Sequence, residues 1–557
     1  MVFSSKKFFC ISLFLFSTIL VFSQSASKKF QITEITYDIT GMTREKALND
    51  ELNIDKTKVF KSQKELDTYV AEIRMKLNNN RIFKESEVKV SYGSRSSSGI
   101  TPVKLHIRTE DTINTIVVPY PTYNSDDGLS LKIKFRNYNF MGTLKMFDLN
   151  FTYQYKIDNK GTKDEKKRHF LDLQTDFTVP IKIGKRELLW NHNIDLNTNF
   201  GKEKYKPYAY YGTGIGYSFP MGPGTFGWST DGWIKHETNG LWYGYYHAGA
   251  NYSFPLVKDV VSLSMAANQS YTYDPTSYLP NKHYMTSSFS VATPFNVGTI
   301  DDWGSIAWTP SIALSWNWNP ESLKGGSNPF KDDKIQNPSI KGPTITFSHS
   351  IGSSKIYWDG NFRRGFSISL TQSWAYNLHT KVIPMPSYNL ATQMHLVLPN
   401  ERVAIYNRNW WYFNMDGSLS EFADRMRGIR SAGGIASDNV IVMNFDFPHS
   451  LLKTDWVAWG FPDFMRKINM EVQVSPFIDV ALGHNIITNT NYLIKDGYYS
   501  GGIEILVFPK TMRSIIGRVS IGVDLARTIL PARIVGDKSW RPDTSRFEGF
   551  FGIGIFY

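Results

Sequence analysis

The sequence predicts a transmembrane antiparallel β-barrel of about sixteen strands, preceded by a small α+β domain. Aromatic residues make up 15% of the 557-residue chain. The mean hydropathy is nevertheless negative, at −0.30, as expected for strands that alternate lipid-facing apolar residues with lumen-facing polar residues. No segment reaches the roughly 20 apolar residues that a membrane-spanning helix needs. Together these features favour a membrane protein that crosses the bilayer with strands.

Residues 1–25 are predicted to form a secretory signal peptide. Lys6 and Lys7 precede an apolar run of about 15 residues from Phe8 to Phe22, and small residues follow this run. The single cysteine of the chain, Cys10, lies inside it. The exported protein is therefore expected to be stabilised without disulfides, by a large core or by a closed sheet.

Residues 28–112 are predicted to form the small domain, with the element order β-α-α-β-β. A first strand leads to a short helix that ends near Leu52. The second helix has the strongest signals, because Ser62 and Glu65 match a capping box and apolar residues recur at helical spacing. These residues are Leu66, Tyr69, Val70, Ile73 and Leu77. Two strands with alternating apolar residues complete the domain.

Residues 115–557 are predicted to form the barrel. From about Gly128 onward the helical period disappears, and apolar and polar residues alternate. The runs Leu171–Ile183 and Phe366–Tyr376 are clear examples, with polar residues between the apolar positions. Such runs are typical of strands with one apolar face. Polar loops such as 325–342 separate them, which leads to the expectation of about sixteen strands.

The chain ends on a predicted strand whose last residue is aromatic. Residues 547–557 place Phe547, Phe551 and other apolar residues on one face. Gly552, Ile555 and Tyr557 have the spacing of the C-terminal sorting signal of bacterial outer-membrane barrels. The sequence therefore predicts export to the bacterial outer membrane.

Composition and motifs argue against an enzyme and against nucleic-acid binding. The net charge is +12, but the basic residues are spread along the chain, so no nucleic-acid partner is expected. Gly222, Gly224 and Gly227 form a G-x-G-x-x-G pattern, yet Pro223 interrupts it and strand-like sequence follows, which indicates a hairpin turn. The histidines lack metal-ligand spacing, so no metal or cofactor is predicted. The sequence leaves open one enzymatic alternative, an outer-membrane lipase or protease whose catalytic Ser–His pair is assembled from separate strands.

One segment within the barrel carries a family resemblance. Met426 to Ile429 read Met-Arg-Gly-Ile, Ser437 to Asn439 follow, and Val440 to Pro448 form a strand. These residues resemble the signature of the BamA/TamA-type outer-membrane assembly and translocation superfamily, the bacterial surface antigen family. In that family a loop with an Arg-Gly-aromatic motif folds into the lumen, where the arginine meets acids of the inner wall. Here Ile429 replaces the aromatic residue.

Other segments extend the resemblance along most of the mature chain. They include Pro119–Gly128, Asn139–Gly142, Gly501–Glu504 and Phe508–Pro509. The β-α-α-β-β domain resembles a POTRA domain, a periplasmic module that contacts unfolded clients and partner proteins by strand addition. An unrelated small α+β domain stays open for this segment.

The resemblance implies that Arg427, Gly428 and Ile429 form the lumen-loop motif. Arg364 is an alternative, but it runs directly into a strand instead of through a loop. The parity of strand residues locates the expected acid partner. In residues 472–480 the valines face lipid, so Asp479 faces inward, and the same counting places Asp524 inward. Asp479 is the first choice and Asp524 the second.

The function implied by the resemblance is outer-membrane protein assembly or translocation. Client polypeptides would bind the small domain in the periplasm and pass to a weak seam between a first strand at about 129–137 and the last strand at 547–557. Expected partners are outer-membrane lipids, client proteins, and periplasmic or lipoprotein partners of the small domain. The alternatives are a passive porin-like pore and a two-partner secretion pore, although the latter usually carries two small domains.

Overall fold

The computed structural model describes residues 29–553, with gaps. The predicted signal peptide and the last four residues, 554–557, lie outside the described residues. The gaps are 95–98, 125–127, 159–165, 185, 201–205, 276–281, 301–302, 319–342, 380, 382–384, 416, 430–434, 487 and 537–545.

The N-terminal domain is a four-stranded sheet packed against two helices. Its elements are β1 (Lys29–Thr40), α1 (Glu45–Leu52), β2 (Val59–Phe60), α2 (Gln63–Asn79), β3 (Phe83–Tyr92) and β4 (Ile100–Asp111). The sheet order is β2-β1-β4-β3. Strand β4 is parallel to β1 and antiparallel to β3. The order differs from the predicted one by β2, which is two residues long and therefore too short to produce an alternation in the sequence.

Helix α2 begins where its sequence signals place it. The Ser62 hydroxyl accepts a hydrogen bond from the Glu65 backbone N–H at 3.2 Å. The Glu65 carboxylate reaches back to the backbone N–H of Lys61 at 2.8 Å, one residue before the usual capping-box partner. One face of the helix is buried in the domain core, at Leu66, Val70, Ile73 and Leu77.

The second sheet is a closed antiparallel barrel in which each strand pairs with its neighbours along the chain. Its first ten strands are β5 (Thr115–Asn124), β6 (Gly128–Asn137), β7 (Phe147–Asp158), β8 (Lys166–Ile183), β9 (Arg186–Phe200), β10 (Tyr208–Met221), β11 (Gly224–His236), β12 (Trp242–Val257), β13 (Val261–Tyr273) and the interrupted β14 (His283–Ala292 and Phe295–Ile300). The remaining ten are β15 (Gly304–Asn317), β16 (Thr344–Asp359), β17 (Phe362–Asn377), β18 (Ser387–Val397), β19 (Ala404–Asn414), the interrupted β20 (Asn439–Asp446 and His449–Lys453), β21 (Met470–Asn485), β22 (Tyr498–Pro509), β23 (Gly517–Asp524) and β24 (Phe547–Ile553).

Apart from the two-residue strand Thr490–Asn491, which pairs with the end of β21, the described residues thus contain twenty barrel strands, more than the expected sixteen. The difference has a physical cause, because many connections are tight turns that use few residues. The turn between β10 and β11 consists of Gly222 and Pro223 alone, since Met221 pairs with Gly224. The G-x-G-x-x-G pattern therefore lies in a hairpin. Among the described residues, no helix is both long and apolar enough to cross a membrane.

The prediction that the first barrel strand lies at about 129–137 is wrong, because this segment forms the second strand of the barrel. The first strand, β5, begins at Thr115, and β24 lies beside it where the barrel closes. Strand β5 contains Pro119 and Pro121, and proline within a run argues against a strand in sequence-based reasoning. The register of β5 with β6 nevertheless continues through both prolines.

The small domain is held against one end of the barrel by the C-terminal end of α2. Asn79 bonds to the backbone of Ile356 and Trp358 on β16. The guanidinium carbon of Arg81 lies 4.5 Å from the Trp358 ring centroid and 5.5 Å from that of Phe508. Burial and, to a smaller extent, the nearby positive charge of Arg513 lower the pKa of Arg81 to about 9. Arg81 is thus a largely buried cation between two aromatic rings.

A second contact joins the small domain to the turn between β6 and β7. The Asp111 carboxylate accepts hydrogen bonds from the side chains of Thr43 at 2.7 Å and Asn139 at 3.2 Å. The backbone N–H of Arg44 donates to the carbonyl of Gly142 at 2.9 Å. Gly142 has a φ of +72°, and a Cβ there would lie 1.9 Å from the Met42 carbonyl oxygen. The segment Asn139–Gly142 therefore binds the small domain.

Candidate functional site

The segment between β19 and β20 folds into the barrel. Ser420–Glu421 pairs with Ala436–Ser437 as a short hairpin, and a 3-10 turn follows at Ala423–Arg425. Met426 and Ile429 are buried. They belong to one apolar cluster formed by the loop and the inner wall. The other loop residues in it are Phe422, Ala423 and Ile435, and the wall residues are Trp410, Val440, Val442 and Ala481. Ile429 thus anchors the loop by apolar packing.

Arg427 lies between the two anchors and points into a buried set of acids. Its Nη2 lies 2.7 Å from Asp479 Oδ1, and its Nε lies 3.1 Å from Asp479 Oδ2, so the pair is bidentate. The backbone N–H of Arg427 also donates to Asp479 Oδ2, at 2.9 Å. A second ion pair joins Arg427 Nη1 to Asp446. The guanidinium carbon lies 3.8 Å from the Phe477 ring centroid.

Further ion pairs extend the cluster across five strands. Asp446 on β20 also pairs with Arg408 on β19, at 3.0 Å. Glu504 on β22 lies 4.0 Å from Arg427 Nη1 and 2.6 Å from Arg518 Nε on β23. With Asp479 on β21, three acids face three arginines. We call these six residues the arginine cluster: Arg408, Arg427, Asp446, Asp479, Glu504 and Arg518.

The arginine cluster is almost inaccessible to solvent. The side chains of Arg427 and Asp479 are 4% and 0% exposed. Charges removed from water carry a large desolvation cost, which only near-ideal geometry and full hydrogen bonding offset. The bidentate Arg427–Asp479 pair and the matched number of charges offset part of this cost. The cluster therefore determines where the loop sits, more than it adds net stability.

Gly428 brings the loop into contact with the last two strands. Its φ is +82°, and a Cβ at this position would lie 2.7 Å from the Val523 nitrogen and 2.8 Å from the Gly522 carbonyl carbon of β23. Its backbone N–H donates to the Glu548 carboxylate on β24, at 3.0 Å. Only glycine allows this approach. The loop tip therefore touches the strand that closes the barrel against β5.

The structure places the alternative candidates elsewhere. Arg364 lies near the turn between β16 and β17 and pairs with Asp359 at 2.9 Å, with both side chains nearly half exposed. Asp524 is buried, but its carboxylate accepts a hydrogen bond from the backbone N–H of Ala526 and caps a short helix. Gly552 pairs with Arg518 in the β23–β24 ladder. The other two residues of the predicted sorting signal, Ile555 and Tyr557, lie outside the described residues.

The inward face of β21 follows the predicted parity. Glu471, Gln473, Ser475 and Asp479 are buried, whereas Ile478 on the opposite face is 48% exposed. The same parity holds on β22, where Glu504 is buried between the exposed Ile503 and Ile505. Applying the parity rule to β22 would have located Glu504.

Asp446 was not predicted, although its strand carries a partial signal. On β20 the buried face carries Val440, Val442, Asn444 and Asp446, and the other face carries Ile441, Met443 and Phe445. Both faces are apolar in the first half of the strand, but in the second half only the buried face is polar, so parity there would have placed Asp446 inward. The buried valines pack against the inserted loop, whose position depends on tertiary structure.

Among the described residues, no group of three or more histidine, cysteine, aspartate or glutamate side chains is arranged to hold a metal ion. The cluster offers charge complementarity and buried hydrogen bonds to the chain itself. Its arginines are paired with acids, so it resembles an internal clamp more than a site for a small ligand.

Comparisons with known proteins give structural likenesses only. No family model matches the sequence. No curated protein matches it either. Similar solved structures include CdiB from Acinetobacter baumannii, with a TM-score of 0.35 and 10% identity over 92% of this chain and 72% of that chain. CdiB from Escherichia coli has a TM-score of 0.40 and 9% identity over 94% of this chain and 76% of that chain.

A third similar structure is BamA from Haemophilus ducreyi lacking POTRA domains 1–3. It has a TM-score of 0.28 and 12% identity, over 88% of this chain and 80% of that chain. At such TM-scores these likenesses establish no family for the chain.

Proposed function

We propose that this chain is an outer-membrane barrel that inserts or translocates polypeptides, in the manner of the BamA/TamA-type superfamily. The observation that carries the proposal is the Arg427 loop. It is clamped by buried ion pairs to β20, β21 and β22 and touches β24 through Gly428 and Glu548. A loop that holds the closing strand from inside is suited to control opening of the barrel wall.

The strand on the other side of the closure supports the same proposal. Pro119 and Pro121 remove two backbone N–H donors from β5. The first strand therefore makes fewer hydrogen bonds to its neighbouring strands than a strand without proline. Incompletely paired strands are templates for an incoming strand. We propose that a client strand adds at the β5–β24 seam, where the first and last strands of the barrel meet.

The small domain is proposed to be a POTRA-like client-binding module in the periplasm. Its strand β3 is at one edge of the sheet, and sheet edges accept extended peptides by strand addition. Outer-membrane lipids would surround the barrel, and periplasmic proteins or lipoproteins would bind the small domain beside clients. No nucleic acid, cofactor or metal has a part in this proposal.

Depletion of the protein in its native cell, followed by quantitative outer-membrane proteomics, tests the proposal. Loss of many unrelated barrels supports a general assembly role. Loss of one or a few exported proteins indicates a dedicated translocator, as in two-partner secretion. An unchanged outer-membrane proteome contradicts both roles.

Complementation of the depleted cell links the result to the loop. The Arg427→Ala variant is expected to restore export poorly although it reaches the outer membrane. The matched control is Arg364→Ala, which removes an exposed arginine near the end of the barrel and is expected to complement fully. Full complementation by Arg427→Ala would show that the Arg427 loop is not needed for export.

A passive pore is the second candidate, and one observation favours it. The inner faces of β16 and β17 carry small hydroxyl side chains opposite one another, including the pairs Ser348 with Ser373 and Ser350 with Thr371. Such a wall suits water and small solutes. Large, salt-dependent conductance in planar bilayers, together with normal export in Arg427→Ala cells, would favour the pore.

A further inference from the structure

The segment 454–469, between β20 and β21, presents large apolar side chains to its surroundings. Trp459 is 49% exposed, Phe461 46%, Phe464 69% and Ile468 45%. We call residues 454–469 the aromatic segment. It lies at the barrel end that carries the small domain, because the Thr511 side chain donates to the Lys467 carbonyl and the Thr112 side chain donates to the Thr511 carbonyl, each at 2.6 Å.

The aromatic segment has a defined internal structure. The Trp456 ring lies 5.3 Å from the rings of both Trp459 and Phe461, in edge-to-face geometry. The indole N–H of Trp456 donates to the Ile468 carbonyl at 3.3 Å, and its backbone N–H donates to the Asn469 side chain at 3.1 Å. Trp456 thus acts as an internal core, and the other aromatic side chains are held outward around it.

The exposed side chains continue an apolar band on the outer wall of the barrel. Leu451 is 61% exposed, Leu452 45% and Phe447 37%, all in or beside β20 just before the aromatic segment. Outward apolar side chains on barrel strands are the surface that meets lipid. Exposed apolar side chains therefore occur both at the end of the strand and in the connecting segment, with the exposed Lys453 and Asp455 between them.

Basic side chains accompany the band. Lys453, Arg466, Lys467 and Lys510 are exposed, and the Lys510 backbone N–H bonds to the Asn469 carbonyl. Two exposed acids, Asp455 and Asp463, lie in the same segment, and Asp463 forms a solvent-exposed pair with Arg466 at 3.2 Å. Such exposed pairs are weak. Lys453 also lies 3.7 Å from the buried Glu471, so the excess of positive charge beside the aromatic side chains comes from Lys467 and Lys510.

We propose that the aromatic segment lies in the headgroup region of the adjoining leaflet and binds anionic phospholipid. Amphipathic aromatic rings favour the bilayer interface, and flanking lysine and arginine side chains attract anionic headgroups. The inference rests on the membrane placement in the proposed function but not on polypeptide transport. It gives the barrel a lipid anchor outside its strands, four strands before the closing strand β24.

A single-cysteine fluorescence experiment tests this placement. The only native cysteine, Cys10, lies in the predicted leader, so Phe464→Cys introduces one labelling site in the mature chain. The labelled full chain is reconstituted in vesicles of phosphatidylethanolamine with or without phosphatidylglycerol. We expect strong quenching by nitroxides at headgroup depth, weak quenching by nitroxides at mid-chain depth, and poor quenching by aqueous iodide.

Two further variants make the result interpretable. Met42→Cys is the matched control, because Met42 is 68% exposed but lies on the small domain; its label should be quenched by iodide. Ile312→Cys on the outer face of β15, 42% exposed, should be quenched by mid-chain nitroxides. Failure at Ile312 contradicts membrane placement itself, whereas success there with iodide quenching at Phe464 contradicts only the lipid anchor.

The charge requirement is tested by Arg466→Glu with Lys467→Glu in the Phe464→Cys background. Both side chains are exposed, so folding should be unaffected. The increase in headgroup-depth quenching caused by phosphatidylglycerol should fall by more than half. An unchanged increase would overturn anionic-lipid binding. Shielding of the Phe464 label from both iodide and nitroxides would show that protein covers the segment and would also overturn the proposal.

Discussion

The two walls of the barrel contain aspartates that contact basic side chains at similar distances but in different surroundings. On the N-terminal wall, Asp231 Oδ1 of β11 lies 2.8 Å from His247 Nδ1 of β12, and these side chains are 50% and 22% exposed. On the C-terminal wall, Arg427 Nη2 lies 2.7 Å from Asp479 Oδ1, and these side chains are 4% and 0% exposed. The distances are almost the same. The inserted loop makes the difference, because it excludes water from one wall only.

This contrast shows that burial, not distance, sets the consequence of losing a partner. An exposed pair exchanges its partner for water at little cost. A buried acid that loses its arginine has no water to replace it. Variants on the two walls should therefore differ severalfold in stability although they remove similar contacts.

The largest effect is expected from Arg427→Ala. The substitution leaves Asp446 and Asp479 buried without their shared cation, which should lower the free energy of unfolding by about 3–5 kcal/mol. The measurement is urea-induced unfolding of the detergent-folded barrel. Arg364→Ala serves as the control and should change the free energy by less than about 0.5 kcal/mol. Equal effects of the two variants would contradict the role of burial.

Gly428→Ala should have the next largest effect, about 1–3 kcal/mol, because it adds backbone strain and separates the loop tip from β23. Gly417→Ala is a close control. Gly417 has a φ of +80°, like the +82° of Gly428, but nothing lies within 4 Å of its Cβ position. The difference between the two unfolding curves isolates the close approach to β23. No difference would mean that the loop tip is not fixed there.

Arg81 provides a third test of how burial affects a charged side chain, because it lies between two aromatic rings at the junction of the small domain and the barrel. Arg81→Met keeps an unbranched apolar side chain between Trp358 and Phe508 but loses the hydrogen bonds to the Arg513 carbonyl and the Asn361 side chain, so it should weaken docking of the small domain less than Arg81→Ala does. Arg81→Ala should weaken docking by about 1–2 kcal/mol, since it leaves a cavity. Limited proteolysis near residues 112–114 measures the docking. Faster cleavage of the Met variant than of the Ala variant would contradict the packing explanation.

Asp231→Asn should have the smallest effect, about 0.2–1 kcal/mol, because both partners remain accessible to water. The same urea titration measures it, beside Asp479→Asn on the other wall. A loss at Asp231 as large as that at Asp479 would show that the N-terminal wall is also shielded from water, and the contrast between the walls would be lost.

The sequence by itself determined the elements whose signals are local. Alternation of apolar and polar residues is a property of single strands, so it predicted the barrel and the inward direction of Asp479. The capping residues Ser62 and Glu65 likewise located the start of α2. Strand β5 escaped detection because its two prolines contradict the usual pattern, and the strand number was underestimated because tight turns leave little trace between alternating runs.

The tertiary structure alone decided which distant charges meet. Asp446 lies on a strand whose buried face also carries Val440 and Val442, and Arg408 and Arg518 lie 110 residues apart along the chain. Their encounter depends on barrel closure and on insertion of the loop. The physical reason is that alternation depends on neighbours two residues apart, whereas burial of an ion pair depends on every element that excludes water from it.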